Sequence, residues 1–179
     1  MRSSSKVLFA ILSVISISSA YADKGQGDIT FKGSIIDAPC SISFQDANQT
    51  VQLGQISKVA LINSGSSVAR DFSITLEQCD ASVLTKKANV KFTGTLASGS
   101  TELLAVSTAA GDVGIGLTDE MGNKIAINGT GYNSAPLHVG DNELKFKAML
   151  KTVSGTTGTT PTVNESAFTG VAHFTLDYI

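Results

Sequence analysis

The 179-residue chain has no tryptophan, two cysteines, three prolines and few charged residues (16%). The missing tryptophan excludes an antibody-type core, which normally places this residue between its two cysteines. After residue 22 no segment has the ~20 uninterrupted apolar residues of a membrane span. Without Arg2 and Lys6 the chain keeps 11 basic against 15 acidic residues, a formal charge of −4. A chain this acidic is not expected to bind nucleic acid.

The N-terminus has the three regions of a secretory signal. Arg2 and Lys6 precede the apolar run VLFAILSVISISS, which ends in the small-x-small sequence of residues 20–22. This run is short for a bilayer and ends in a cleavage signature, which disfavours a membrane anchor. The pattern predicts a signal peptide over residues 1–22 and one exported domain of about 150 residues.

Period-two alternation of apolar residues recurs along the rest of the chain. Examples are residues 51–53, 72–76, 90–96, 113–117 and 144–150, and DEMGN at 119–123 is typical of a hairpin turn. The Gly/Thr tract at 154–162 predicts a loop. Short strands with turns between them, and no helical stripe of comparable length, predict an all-β antiparallel sandwich that is immunoglobulin-like at most.

The two cysteines, Cys40 and Cys79, predict one disulfide because an exported protein folds in an oxidising compartment. Closing a loop of this length stabilises a fold by about 4 kcal/mol. Cys79 lies on the polar parity of its strand, so a bulge or a strand end must intervene if the sulfur faces inward. The sequence leaves open which of the two occurs.

No catalytic or metal-binding motif is present. His138 and His173 have no cysteine, histidine or carboxylate at metal-ligand spacing, and the glycine-rich GDVGIG lacks the lysine of a phosphate loop. Asp119 and Glu120 belong to the predicted turn. The sequence therefore predicts no enzyme, no cofactor and no metal.

The two ends of the exported chain carry the most regular alternation. In "DITFKGSIIDAPC", residues 28–40, the side chains of Ile29, Phe31, Gly33 and Ile35 share one face of a predicted strand. At the other end the shared face comprises Phe168, Gly170, Ala172, Phe174, Leu176 and Tyr178. Periodicity alone allows these to be the ordinary first and last strands of a closed sandwich.

The order of several segments resembles the major subunits of chaperone-usher fimbriae, the type 1 and P-like pilins of Gram-negative bacteria. These segments are the signal peptide, "FKGSIIDAPC", "QTVQLGQIS", "DFSITLEQC", "VKFTGT" and "HFTLDYI", so the resemblance covers nearly the whole chain. It implies an incomplete immunoglobulin-like sandwich at 38–179, which lacks its last strand and is completed by a donor strand from a neighbour. The donor arm would be residues 23–37, as in strand addition between pilins.

The resemblance also assigns roles to residues at both ends. Gly33, seven residues before Cys40, matches the arm glycine of the family, and the alternating C-terminal residues match the strand that the chaperone reads. Ile179 would supply the carboxylate that the chaperone holds. The chain departs from the family at residue 166, where Ser166 replaces a common glycine and the nearest glycine is Gly170.

The implied function is that of a structural subunit in an extracellular fimbria, reached through the periplasm, which supports adhesion and biofilm formation. The implied partners are identical subunits, a periplasmic chaperone, an outer-membrane usher and minor or tip pilins. Two alternatives stay open: a minor fimbrial adaptor, and a self-contained secreted sandwich that binds ligands through its loops.

Overall fold

The computed structural model describes residues 27–107, 110–153 and 160–179. The predicted signal peptide, residues 23–26 of the predicted arm and residues 154–159 of the predicted loop lie outside these ranges. The chain divides into two units, one ending at Ile36 and one spanning Asp37–Ile179. No described helix is long and apolar enough to cross a bilayer.

The second unit consists of strands and a few short helices. The strands are β1 Ser41–Ile42, β2 Arg70–Cys79, β3 Lys87–Thr93, β4 Leu104–Ala105, β5 Val113–Asp119, β6 Lys124–Ile125, β7 Asn128–Pro136, β8 Gly140–Thr152 and β9 His173–Tyr178. The helices are α1 Phe44–Ala47, α2 Lys58–Ser64 and a 3₁₀ turn at Ala81–Val83. The prediction of an all-β fold is confirmed.

Two antiparallel sheets face each other. The larger sheet has the order β1-β2-β8-β5-β4 with β6 beside β5, and the smaller has the order β7-β3-β9. The core lies between them because alternate residues of each strand point inward, for example Ile74 in β2, Phe146 in β8 and Val90 in β3, each almost fully buried. Phe146 also packs against the rings of Phe72 and Phe92, with centroids 5.4 and 5.3 Å away.

The predicted disulfide between Cys40 and Cys79 is present and fully buried. The register of β2 against β8 shifts between Leu76 and Cys79, and Gln78 adopts a positive φ of 55°. A bulge therefore turns Cys79 inward from the polar parity of its strand, which resolves the alternative that the sequence leaves open.

Three predicted strands are shorter than expected or absent. Residues 27–40 form no strand, residues 51–54 form none, and the predicted strand over 168–178 begins only at His173. The last strand is short because its partner β3 ends at Thr93, so residues 168–172 extend past the ladder. The first two segments lack a described neighbouring strand to pair with, and a strand exists only through such pairing.

The sandwich is incomplete. Strand β9 pairs only with β3, and no other described strand lies on its far side. The interpretation as a closed sandwich is therefore wrong. The immunoglobulin-like sandwich with one strand missing is confirmed.

Candidate functional site: an open groove beside the last strand

A long groove of about 1530 Å³ opens between the sheets where the missing strand would lie. Its floor comes from inward residues of both sheets and its rims from residues 46–56 and 163–174. The apolar floor residues include Phe72, Ile74, Phe92, Leu104, Val113, Ile115, Leu117, Ala148 and Leu150. The groove is thus an uncovered part of the core.

One rim is the free edge of β9. Lys87 and Ile179 exchange two main-chain hydrogen bonds of 2.8 and 3.1 Å. Bonded and non-bonded pairs alternate in an antiparallel ladder, so the main-chain N–H and C=O groups of Phe174, Leu176 and Tyr178 point away from β3. The side chains of these three residues are the partly buried ones of β9. One set of residues therefore supplies both the free main-chain groups and the inward side chains.

The opposite rim is the extended segment 49–56. Side chains fix the start of this segment to β2, because the Asp46 carboxylate accepts from the Thr75 N–H at 2.8 Å and the Gln49 amide donates to the Ser73 carbonyl at 2.9 Å. Val51 and Leu53 are partly buried against the main core, whereas Gln52 is exposed. Inward and outward side chains therefore alternate along this segment as predicted, although it forms no main-chain ladder with a described strand.

Gly170 lies at the end of the groove that precedes β9. A Cβ atom built on it would lie 2.8 Å from Ile115 Cδ1 and 3.1 Å from the Ala105 carbonyl oxygen, so no larger residue fits without a shift. The adjacent Thr169 is held by the Ser107 N–H, which donates to its carbonyl at 2.7 Å. The close approach occurs at Gly170, whereas Ser166 is exposed.

The predicted receiving residues fall into two groups. Phe168, Gly170, Ala172 and Phe174 line the groove. Leu176 and Tyr178 instead pack against the main core, and burial raises the pKa of the Tyr178 phenol. The side chain of Ile179 is exposed. The sequence missed the floor of the groove and the rim at 49–56, because alternation predicts which residues face inward but not whether another strand covers them.

The described part of the predicted arm, residues 27–37, carries exposed apolar side chains. Ile29, Phe31 and Ile35 are 79–103% exposed, and no atom lies within 4 Å of a Cβ built on Gly33. These three large apolar side chains alternate along a segment that pairs with no described strand. Their joint exposure is unusual, because large exposed apolar patches commonly mark interaction sites.

The described residues that line the groove do not resemble a catalytic centre. Among the described residues no three histidine, cysteine or carboxylate groups cluster as metal ligands. His173 reaches the groove rim and His138 lies in a loop, both exposed. The floor is apolar and one edge carries main-chain hydrogen-bonding groups, which suits the binding of an extended polypeptide.

Comparison with known proteins agrees with this geometry. Residues 29–179 match the family model described as "Fimbrial protein". The chain is 42% identical to the Fimbria A protein of Serratia marcescens, with 97% of each chain covered. It is 40% identical to the Major MR/P fimbria protein of Proteus mirabilis (strain HI4320), covering 93% of this chain and 92% of that protein.

Two solved structures share the fold. The crystal structure of the P pilus rod subunit PapA superposes with a TM-score of 0.68 at 29% identity, covering 79% of this chain and 100% of PapA. A subunit from the structure of a chaperone-usher pilus gives a TM-score of 0.74 at 32% identity, covering 87% and 97%. The chain belongs to the fimbrial protein family, whose members are structural subunits and not enzymes.

Proposed function

We propose that this chain builds a surface fimbria by donor-strand exchange, in which residues 29–35 of one copy fill the groove of the next. The observation that carries the proposal is the free edge of β9, where Phe174, Leu176 and Tyr178 present both unpaired main-chain groups and inward side chains. Relatives named as fimbrial major subunits, and a neighbour described as a rod subunit, support a role in the shaft.

The alternation of apolar residues in the arm matches the alternation of inward residues in β9. In an antiparallel pair, directly opposed residues have side chains on the same face. The bonding positions of β9 are its inward positions, so the arm residues that bond to it must also point inward. Ile29, Phe31, Gly33 and Ile35 satisfy this condition, with Lys32 and Ser34 facing solvent. A slip of one residue that kept these hydrogen bonds would turn Lys32 and Ser34 inward and the apolar set outward.

Burial supplies the driving force. Each large apolar side chain of the arm contributes about 1.5–3 kcal/mol when it leaves water, and each main-chain hydrogen bond a net ~1 kcal/mol. Association costs part of this sum. Because the favourable contributions come from completing a fold, assembly needs no nucleotide hydrolysis.

The same groove requires temporary protection during export. A periplasmic chaperone that adds a strand to β9 would cover the apolar floor until an outer-membrane usher brings the next arm. Tip and minor pilins would join the fibre by the same contact. The fibre would stand outside the cell and support attachment and biofilm formation.

Competition with a synthetic arm tests the proposal. A peptide of residues 23–37, added in excess to full chains released from their chaperone, should occupy grooves and reduce fibre length seen by electron microscopy. A Gly33→Leu peptide should lose at least tenfold in potency because Leu would point into the groove. The matched Ser34→Leu peptide should retain its potency because residue 34 faces solvent. Equal potency of the two variants, or fibres indifferent to every peptide, would contradict donor-strand exchange.

A further inference from the structure

Two apolar patches lie at opposite ends of the sandwich, outside the groove floor. The "disulfide pole" comprises Leu84, Val139 and Ile179, whose exposure is 54–61%. The "groove pole" comprises Leu96 and Val171, which are 37% and 70% exposed. Neither patch is explained by packing within a single chain.

The disulfide pole lies at the end of the sandwich where β2 ends at Cys79. Leu84 ends the 3₁₀ turn that follows Cys79, and Val139 precedes Gly140, the ladder partner of Cys79. Ile179 joins the same end through its two main-chain bonds to Lys87. Because the Leu137 N–H also donates to the Lys86 carbonyl, main-chain hydrogen bonds link the segments that carry these three residues.

The groove pole lies at the other end of the β3–β9 ladder. The carbonyl oxygen of Val171 lies 3.1 Å from a Cβ built on Gly94, directly after β3, and Leu96 bridges to Leu104. Val171 also lines the groove, so this patch is continuous with the groove opening. The segment 94–107 has one charged residue, Glu102, so little charge opposes an apolar contact there.

Chain connectivity brings the two poles of neighbouring copies together. Every strand pair in the described chain is antiparallel, and parallel pairing is slightly less stable per residue. An arm that continues this pattern runs opposite to β9, so its C-terminal end at Ile35 lies toward the start of β9, which is the end that carries the groove pole. The Pro39 carbonyl accepts from the Asp80 N–H, which fixes Pro39 to the disulfide pole. Pro39 follows Ile35 by four residue steps, which span at most ~14 Å.

We propose that the disulfide pole of each donor copy docks on the groove pole of its acceptor, a body-to-body contact separate from the arm. It rests on the proposed donor-strand function. The contact joins unlike surfaces of identical chains, so it propagates along a fibre. It would cover Leu84, Val139 and Ile179 of one copy with Leu96 and Val171 of the next.

Hydrogen exchange on the wild-type protein separates this contact from the arm. Fibres are compared with single chains whose grooves hold the synthetic arm peptide, so that the groove is filled in both samples. Amides of residues 94–98, 169–172 and 82–86 should exchange at least several-fold more slowly in the fibre. Equal exchange at both poles would overturn the proposal while leaving donor-strand exchange intact.

Cross-linking gives a second, independent readout. Full chains carrying both Leu84→Cys and Val171→Cys are assembled, treated with a short bis-maleimide and boiled in detergent. Because both native cysteines are in the disulfide, only the new thiols react. The expected result is a ladder of covalent multimers, with none from either single variant.

The control pairs Leu84→Cys with Met121→Cys, which is 88% exposed but lies in the β5–β6 turn, outside both poles. Fibres whose Leu84/Val171 ladder does not exceed this control contradict the proposal. A covalent dimer from Leu84→Cys alone, which has one reactive thiol per chain, would mean that like poles meet, which also overturns it. Failure to form any wild-type fibre would instead refute the donor-strand function on which the inference rests.

Discussion

At the scale of the residue, Asp119 shows how one side chain closes a turn. Its carboxylate accepts hydrogen bonds of 2.8 Å from the backbone N–H and from the side-chain amide of Asn123, and the residue is buried. Burial alone would raise the pKa of Asp119, but the hydrogen bonds from Asn123, Met121 and Gly122 outweigh it and the pKa is lowered. The residue that sequence reasoning assigns to a turn has this structural role.

Replacing Asp119 should therefore destabilise the protein. Asp119→Ala leaves donors in the turn unpaired and should cost about 1–3 kcal/mol in the free energy of unfolding at pH 7. A lowered pKa in the folded state gives stability that is present above the unfolded value of ~3.9 and is lost as pH falls through the folded value. Asp119→Asn should accordingly reduce the loss of stability seen below pH ~4.

Urea unfolding of the full chain with bound arm peptide, followed between pH 7 and pH 2, measures both effects. Glu120→Gln is the matched control, since Glu120 is the exposed neighbour in the same turn. If Asp119→Asn lost as much free energy of unfolding in acid as the wild type does, this carboxylate would not govern acid stability.

The residue-scale predictions from sequence succeeded where the chemistry is local. The disulfide followed from compartment and cysteine count, and the parity of Cys79 required an irregularity that is present as a bulge. The position in the groove wall where only glycine fits could not be located in the same way. The close contacts of Gly170 come from Ile115 and Ala105, which are distant in sequence.

At the scale of the element, the length of a strand depends on its partner. The alternation predicted for the last strand runs from Phe168 to Tyr178. The ladder nevertheless begins only at His173, because its partner Thr93 is the last residue of β3. The segment before it turns toward the larger sheet, where Thr169 bonds to Ser107. A pattern within one segment carries no information about where its neighbour stops.

The edge of β9 makes a prediction for hydrogen exchange within a single strand. The amides of Thr175, Asp177 and Ile179 donate toward β3 and should be protected in the chain without a donor, whereas those of Phe174 and Leu176 should exchange fast. Adding the arm peptide should slow Phe174 and Leu176 at least tenfold. The odd-numbered amides serve as the internal control.

Residue-resolved exchange by NMR separates these two sets. If the peptide slowed both sets equally, the cause would be global stabilisation and not strand addition. If Phe174 and Leu176 were already protected without a donor, β9 would have another partner.

At the scale of the whole molecule, the sequence predicts a sandwich but not the gap in it. The apolar floor residues Ile115 and Phe72 alternate as buried residues do, and only the structure places them beneath an uncovered groove. An absent strand leaves no pattern in the residues around it. The incomplete fold was instead anticipated from the resemblance to pilins, which rests on the order of segments along the chain.

The whole molecule should behave as a bifunctional monomer with one arm and one groove. Deleting residues 23–36 leaves the unit Asp37–Ile179, which retains the groove but has no arm. Such a chain can accept a neighbour but cannot donate, so it terminates the fibre wherever it is incorporated. Mean fibre length should fall roughly as the inverse of its fraction among the co-produced chains, because each linkage is heterologous.

Electron microscopy of fibres from cells producing defined ratios of the two chains measures this dependence. A full chain carrying Ser34→Leu, co-produced at the same ratios, controls for the presence of a second subunit, since it keeps both arm and groove. The inverse law follows only if every linkage uses one arm and one groove. A fibre length that stayed constant as the truncated fraction rose would mean that subunits join through surfaces other than the arm, and that the groove is not the joint of the fibre.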